Sequence, residues 1–451
     1  KITVQDAEGN TVSGLAATAM DVTIEAAAGG STTAATLETA TSPNTASGVA
    51  TFTDIVIKGT AGTYRLVYTL NGTQISDYQT INLTAGNAVK LDISAQPDAS
   101  VKTNEVFGTA PKVRLLDSAG NHAATDSSSS ATVALVLPNG TVQTASSPVT
   151  ANSGYVTFAG LKYLKTPATG FKLEFKLVGS ANADATQQSR AFDITPADAA
   201  SIRWSTTSTA NDGKPRSTVQ NNTAIKNAAG GNLSIEVIDA YGNVVTADDS
   251  TVVTTTVKTA GGAVTSLTNA TATAVSGSVR FSSLTLRAKA ADYVLQFTAA
   301  NAGKSVNATF VVSDTITLTA GVADRIGATK VAEVAKSGQM FSTQPVIKVF
   351  DIDGNVVDTT ATISVAVAPV APNANTAAFV GNSSMASVAG VADFDSGVLN
   401  ANRLGLSAKV GTYRLTYSIG SPFGALSSIY QDIEVTPGAA AKIAIVQQMT
   451  A

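Results

Sequence analysis

The chain has 451 residues, with 29 Lys plus Arg against 32 Asp plus Glu, a formal net charge of -3, no cysteine and one histidine, His122. That length exceeds one hydrophobic core and implies several domains. The charge balance leaves no basic field for a nucleic acid backbone, and the absence of cysteine excludes disulfide scaffolds, Cys nucleophiles and Cys/His zinc sites. Hydrophobic residues make up 44% of the chain and charged residues only 14%. Ala, Thr, Ser, Val and Gly dominate, a mixture that favours strands and turns over charged amphipathic helices. No apolar run reaches the roughly 18 residues of a membrane-spanning helix, so no transmembrane segment is expected.

Taken in chain order, the first element is a short strand with Ile2 and Val4 on one face. It runs into the turn of "TVQDAEGNTV" (Asp6, Gly9, Asn10). A second strand follows at "GVATF" (Gly48 to Phe52). A third, "GTYRLVY", alternates Tyr64, Leu66 and Tyr68 with polar residues, as a half-buried strand does. The stretch closes with "LTAGNA". The next opens with a strand, "AVKLDIS" (88 to 94), and then repeats the order: Val113 and Leu115 lead into "RLLDSAGNHA" (Asp117, Gly120, Asn121). "GYVTF" comes next, then "GFKLEFKL", where Leu173, Phe175 and Leu177 alternate with Lys172, Glu174 and Lys176, then "ITPADA". The third copy opens with "ASIRWST" (200 to 206) and carries a long insert, "TSTANDGKPRSTVQNNTAIKNAAGG". It resumes with Ile235 and Val237, "EVIDAYGNVV" (Asp239, Gly242, Asn243), "GSVRF", "ADYVLQF" and "LTAGVA". The fourth opens with "DRIGATK" (324 to 330) and contains Ile347 and Val349, "KVFDIDGNVV" (Asp351, Gly354, Asn355), "GVADF", "GTYRLTY" and "VTPGAA".

Several landmarks in one order, four times over, define a repeat of roughly 110 to 120 residues, about the size of one sandwich domain. The period-two alternation makes each copy a pair of packed antiparallel sheets with little helix. The expected modules are 1–85, 86–196, 197–319 with its inserted loop, and 320–436, with 437–451 left over. Sequences such as "ITVQDAEGNTVSG" and "SGVATFTDIVIKGTAGTYRLVYTL" resemble the bacterial immunoglobulin-like repeats of invasin and intimin type. Those repeats share a D-x-x-G-N-x-V turn, a G-V-A-x-F/V strand and a G-T-Y strand. The likeness covers nearly the whole chain and is strongest in copies one and four, since copies two and three lack the G-T-Y wording. It implies an all-β array of tandem immunoglobulin-like sandwiches in an extended rod, with an extracellular, structural or adhesive role on a bacterial surface. The low-charge, cysteine-free composition also resembles surface-layer proteins.

Copies two to four each open with a strand that copy one lacks, while "AAKIAIVQQMTA" (440 to 451) reads as an opening strand with no domain after it. One reading is a window on a longer tandem array. The other is strand exchange, in which residues 441 to 449, with Lys442, Ile443, Ile445 and Val446 as the candidate assembly residues, complete copy one of a neighbouring molecule.

The repeated Asp-x-x-Gly-Asn turns have a ligand-free explanation. Gly accepts positive φ, Asn tolerates the left-handed region, and Asp bonds its own turn backbone. An EF-hand is rejected because position twelve, counted with Asp351 as the first, is Thr362. Calcium between modules, held by Asp351, Asp353 and Asp358 or by Asp248 and Asp249, is the one cofactor candidate. His122 is expected as a solvated turn residue, and Trp204 as a core or interface anchor rather than a sugar platform. Carboxylates are scattered singly, so catalysis is not expected. The functional expectation is therefore an S-layer or filament subunit whose partners are copies of itself, with host or cell-wall glycans as further partners. The alternatives are the stalk of a large adhesin and the sugar-binding accessory modules of a secreted enzyme.

Overall fold

The computed structural model describes residues 1–27, 35–206, 213–396 and 401–444, and of 74–77 the backbone alone. Among these residues there is no α-helix, and one 3-10 turn at Ala183–Ala185 interrupts the strands. The alternation read from the sequence is the cause. In Ala168–Leu177, Phe171, Leu173, Phe175 and Leu177 are buried, while Lys172, Glu174 and Lys176 reach toward solvent. The chain forms two compact units, Lys1–Ala197 and Asp198–Ala451, each holding two copies of the repeat.

In unit 1, the first module contains β1 (Ile2–Thr3), β2 (Met20–Ala26), β3 (Val49–Ala50), β4 (Gly62–Leu70) and β5 (Thr73–Leu83). β2, β4 and β5 form one antiparallel sheet, and β1 pairs with β3, placing Ile2 opposite Ala50. The second module is fuller, with β6 (Lys90–Ala95), β7 (Ser100–Lys102), β8 (Lys112–Leu116), β9 (Ser130–Val136), β10 (Tyr155–Thr157), β11 (Ala168–Leu177) and β12 (Phe192–Thr195). One sheet runs β10-β8-β6; the other runs β9-β11-β12-β7, with β7 parallel to β12.

Unit 2 repeats that plan twice. Its first module has β13 (Ala199–Trp204), β14 (Thr218–Gln220), β15 (Leu233–Asp239), β16 (Val252–Ala260), β17 (Ser278–Phe281), β18 (Asp292–Ala300) and β19 (Ile316–Thr319). Its second has β20 (Ala323–Lys330), β21 (Ala335–Lys336), β22 (Val346–Asp351), β23 (Thr362–Pro369), β24 (Val391–Asp393), β25 (Gly411–Ile419) and β26 (Ile429–Thr436). The sheets are β13-β15-β17 with β16-β18-β19-β14, and β20-β22-β24 with β23-β25-β26-β21; β14 and β21 again run parallel to the last strand. A chain that starts in one sheet and then crosses to flank the final strand of the other has immunoglobulin-like topology. The tandem modules are immunoglobulin-like sandwiches. Each full module packs the inner faces of both sheets into one core.

The insert in the third copy is more than a loop. Part of it is β14, and its Val219 and Ile225 sit in the core with no more than 1% exposure. The short register of such a strand, three residues, carries no readable alternation.

The glycine of the "GVATF" landmark also finds its reason. Ser276 (φ 49) and Gly277 (φ 73) are the two left-handed residues of a hairpin turn that sets Val275 opposite Ser278. A Cβ on Gly277 would stand 2.5 Å from the Val245 carbonyl oxygen.

Module 1 differs from the rest at both sheets: among the described residues, none of its strands runs parallel to β5, as β7, β14 and β21 do to the last strands of the other modules. Among the described residues, no strand flanks the free edge of β1. Ile2 and Val4 are only half-buried, whereas their counterparts Val113, Leu115, Ile235, Val237, Ile347 and Val349 are fully buried at 0%.

Candidate functional site

The Asp-x-x-Gly-Asn turn follows β1, β8, β15 and β22, and its internal bonding is the same in every copy. In module 4 the Asp351 carboxylate accepts from the backbone N–H groups of Asp353 (2.9 Å) and Asn355 (2.8 Å), while Asp351 N–H donates to the Asn355 carbonyl at 2.9 Å. Asp6, Asp117 and Asp239 hold Asn10, Asn121 and Asn243 in the same way. The turn glycines carry the positive φ expected of them, from 76 to 87 at Gly354, Gly242, Gly9 and Gly120. The asparagines do not. None of the four is among the residues with positive φ, so the left-handed preference of Asn is not why it is there. Its amide is: Asn Nδ2 donates to Asp Oδ2 in all four turns, at 2.9 to 3.2 Å.

The same amide also reaches the preceding module. In unit 1, Asn121 Nδ2 donates to the Gly59 carbonyl at 2.9 Å, and Ala61 N–H donates to Asn121 Oδ1 at 2.8 Å. In unit 2, Asn355 Nδ2 donates to the Ala288 carbonyl at 3.0 Å, and Ala290 N–H donates to Asn355 Oδ1 at 2.8 Å. The receiving loop is preformed by a tyrosine at the start of the following strand. Tyr64 and Tyr293 each donate a hydroxyl hydrogen to the carbonyl four residues earlier, Thr60 and Lys289, at 2.6 and 2.7 Å.

A third strand of the lock is the linker. Gly86 N–H donates to Asp117 Oδ2 at 2.9 Å, and Gly321 N–H to Asp351 Oδ2 at 2.8 Å. Gly321 runs so close to the preceding module that a Cβ there would stand 2.7 Å from the Asn221 carbonyl oxygen. Each turn thus joins three pieces: its own sheet, the linker, and the edge of the module before it. Burial works to raise the Asp351 carboxyl, yet the N–H of Gly321 and the amides of Asn355 and Asn221 outweigh it and hold the group at about 2. Asp117 is lowered by the same kind of contest, burial against Asn121 and Gly86.

The junction in unit 2 has an additional member. Asp353 is bound by Arg287 of the preceding module, Nη2 to Oδ1 at 3.0 Å and Nε to Oδ2 at 3.2 Å, and by Asn221 Nδ2 at 2.8 Å. Its side chain is 4% exposed. Lys289 Nζ caps the turn from outside through the carbonyls of Asp353 (2.7 Å) and Gly354 (3.1 Å).

No protein-family model matches this chain, and no curated protein matches it in sequence. Several solved structures are similar to it. The Escherichia coli adhesin FdeC shares 13% identity over 78% of this chain and 99% of its own, with a TM-score of 0.35. Invasin, a bacterial integrin-binding protein, shares 14% over 96% of this chain and 74% of its own, at 0.32. Yersinia pseudotuberculosis InvD shares 13% over 78% and 98%, also at 0.32. At such identities and scores, the immunoglobulin-like assignment stands on the strand order itself.

The other candidates sit as follows. Among the described residues, no three His, Asp or Glu side chains gather as a metal-binding group. Asp351 and Asp353 are brought together, but on N–H and guanidinium donors; Asp358 is exposed. Asp248 accepts from Ser250 N–H, Thr251 N–H and Thr251 Oγ1, and Asp249 from Ser276 N–H, as loop-closing groups. His122 is not simply solvated: it is half-buried, with its ring 4.6 Å from that of Tyr155. Trp204 is 9% exposed and stands edge-on to Phe297, with Nε1 donating to the Val312 carbonyl at 3.0 Å. Among the described residues, no helix is long and apolar enough to cross a membrane. Lys442 and Ile443 form no strand, and Ile443 is 98% exposed; Ile445 and Val446 lie outside the described residues. At the other terminus, beside the free edge of β1, a groove of about 840 Å³ is lined by Ile2, Val4, Met20, Tyr68 and Leu70 among others.

The lock itself was missed in the sequence. Its signal was present as a coincidence of three repeated features, the turn Asn, the linker Gly and the strand Tyr, which nothing short of a fold shows to be neighbours.

Proposed function

We propose that this chain is a structural protein of a bacterial cell surface, an S-layer or filament subunit, in which immunoglobulin-like modules are locked end to end to bear load. The observation that carries the proposal is the repeated junction. The same Asn amide, Asp carboxylate and linker glycine meet at both junctions within the units. A flexible string of domains has no use for such a lock, because a linker alone connects it. A load-bearing array does: tension on the linker is passed to the turn and from there to two sheets at once.

Self-assembly belongs to this reading. Residues 441 to 449 of one copy insert beside β1 of the next and supply the strand that its sheet edge accepts. Sedimentation velocity and negative-stain electron microscopy of the full chain test it. Head-to-tail oligomers that grow with concentration are expected, and removal of 437–451 returns them to monomers. A full chain that stays monomeric throughout is instead the stalk segment of a larger adhesin, which uses the same locks without self-assembly.

A further inference from the structure

The chain contains two Asn-Gly pairs, and both lie in the same triplet, Asn71-Gly72-Thr73 and Asn139-Gly140-Thr141. An asparagine before glycine carries its own chemistry. The glycine nitrogen has no neighbouring Cβ to shield it, and it reaches the asparagine carboxamide carbon wherever the backbone turns freely. Both triplets sit at exposed hairpin tips, so solvent reaches each of them. They differ in what holds them.

At the first tip, Asn71 (φ 46) and Gly72 (φ 76) are the two residues between β4 and β5, with Leu70 opposite Thr73. Asn71 N–H donates to the Ala19 carbonyl at 3.0 Å. Among the described residues, no hydrogen bond holds the Gly72 N–H or the Asn71 carboxamide. A Cβ on Gly72 would meet nothing within 4 Å, so nothing crowds the glycine. The second tip is tied. Gly140 N–H donates to the Leu137 carbonyl at 2.8 Å, and Leu137 N–H donates to the Thr141 carbonyl at 2.9 Å. Thr141 N–H donates to Asn139 Oδ1 at 3.0 Å. Ring closure there must first break the bond on the attacking nitrogen and the one on the carboxamide.

We infer that Asn71 is a site of spontaneous deamidation, and that the hydrogen bonds at the second tip protect Asn139. The Gly72 nitrogen gives its proton to solvent and bonds to Asn71 Cγ. The Cγ–Nδ2 bond then breaks, and Nδ2 leaves as ammonia with a proton taken from water. Water opens the resulting succinimide ring. Attack at Cγ leaves an aspartate, and attack at the main-chain carbonyl leaves an isoaspartate, which puts an extra methylene into the backbone. Either product adds one negative charge to module 1. The isoaspartate also lengthens a two-residue loop, so Leu70 loses its place opposite Thr73, beside the groove that Leu70 and Met20 line. The tip loosens with age, and no enzyme is needed. This chemistry is independent of self-assembly.

The test holds the folded full chain in mildly alkaline buffer made with heavy-oxygen water and follows both triplets by peptide mass spectrometry. Asn71 is expected to convert at least about tenfold faster than Asn139, because two hydrogen bonds must open before the second ring can close. In denaturant, where the two triplets share one local sequence and no fold, the rates converge. Gly72→Ala puts a methyl group beside the attacking nitrogen and slows Asn71 at least about tenfold, in denaturant as well as in the fold. Hydrogen exchange at Leu70 and Thr73 rises in the aged chain but not in Asn71→Asp, which has the charge without the methylene; equal exchange in the two overturns the loosening. Equal rates at the two sites of the folded chain, or a faster Asn139, overturn the inference. So does an Asn71 that keeps its amide in the fold while both sites convert in denaturant. Asn-Gly-Thr is also an acceptor sequence for glycans, and a sugar on Asn71 Nδ2 of the chain taken from its own cells closes the route to ammonia and overturns the inference as well.

Discussion

Asn355 shows how much one amide can be asked to do. It closes its own turn on Asp351 Oδ2 at 2.9 Å, accepts from Ala290 N–H and donates to the Ala288 carbonyl. It is 7% exposed, so Asn355→Ala leaves three polar groups short of partners in a place water reaches poorly. The expected cost is about 2–3 kcal/mol, set by unpaired groups rather than by lost contact area. Asn10→Ala removes a bond only from an exposed turn and is expected to cost well under about 1 kcal/mol in the monomer. Calorimetric melting of both variants separates these cases; equal shifts would show that the inter-module bonds contribute nothing. The acid side of the same lock is carried by Asp351. Its carboxyl titrates at about 2 in the folded chain, below the value of about 3.9 for an unfolded aspartate. A depressed folded pKa stabilises fully above the unfolded value and is lost as pH falls through the folded one. Stability of unit 2 should therefore decline from pH 4 toward pH 2, and Asp351→Asn, already weaker at neutral pH, should flatten that decline in acid melting curves.

Strands and turns differ in how far the sequence reveals them. Long strands such as β11 and β25 are legible because buried residues alternate with more accessible ones over eight positions. The three-residue strands β7 and β14 are not: their place is set by parallel pairing with strands nearly a hundred residues away. The Asp turn was legible as a turn, since Gly at positive φ and Asp bonding its own backbone are local facts. Its use as a lock was not, because Asn121 finds Gly59, and Asn355 finds Ala288, more than sixty residues back in the chain. The same distance hid the reason for Asp353, which only the approach of Arg287 supplies. One element-level expectation is sharp. Gly277 combines a φ of 73 with a carbonyl 2.5 Å from where a Cβ would sit. Gly277→Ala should destabilise its module by about 2–4 kcal/mol through strain and displacement of β17. Gly303, also at positive φ but with nothing within 4 Å, is the control: Gly303→Ala should cost only about 1 kcal/mol. Similar losses at the two positions in thermal melts would rule out the close approach as the cause.

At the scale of the whole molecule, the question is what keeps successive modules acting together. Calcium is a common answer for tandem modules, but here Asp351 already receives five hydrogen bonds, from Asp353 and Asn355 N–H, Gly321 N–H, and the side chains of Asn221 and Asn355. A cation would have to displace these donors, so chelation is expected to leave the melting curve unchanged; a downward shift with EDTA that calcium reverses would refute this. The coupling instead runs through the protein's own groups, and the pair of Asp353 and Arg287 is its most exposed test. Arg287 is 30% exposed and Asp353 only 4%, so Asp353→Ala leaves a cation that water can partly reach and takes one of the two carboxylates from the Asn221 amide. The expected loss is about 2 kcal/mol, below the cost of breaking a fully buried pair. All of it falls on the junction and none on either core. The two modules of unit 2 should therefore change from one cooperative calorimetric transition to two that overlap, each near the melting temperature of a module alone, while Asp432→Ala, which frees Arg414 within one module, leaves the coupling intact. If the parent chain already melts with the two modules of unit 2 uncoupled, the lock positions them without transmitting stability, and load passes through the linker instead.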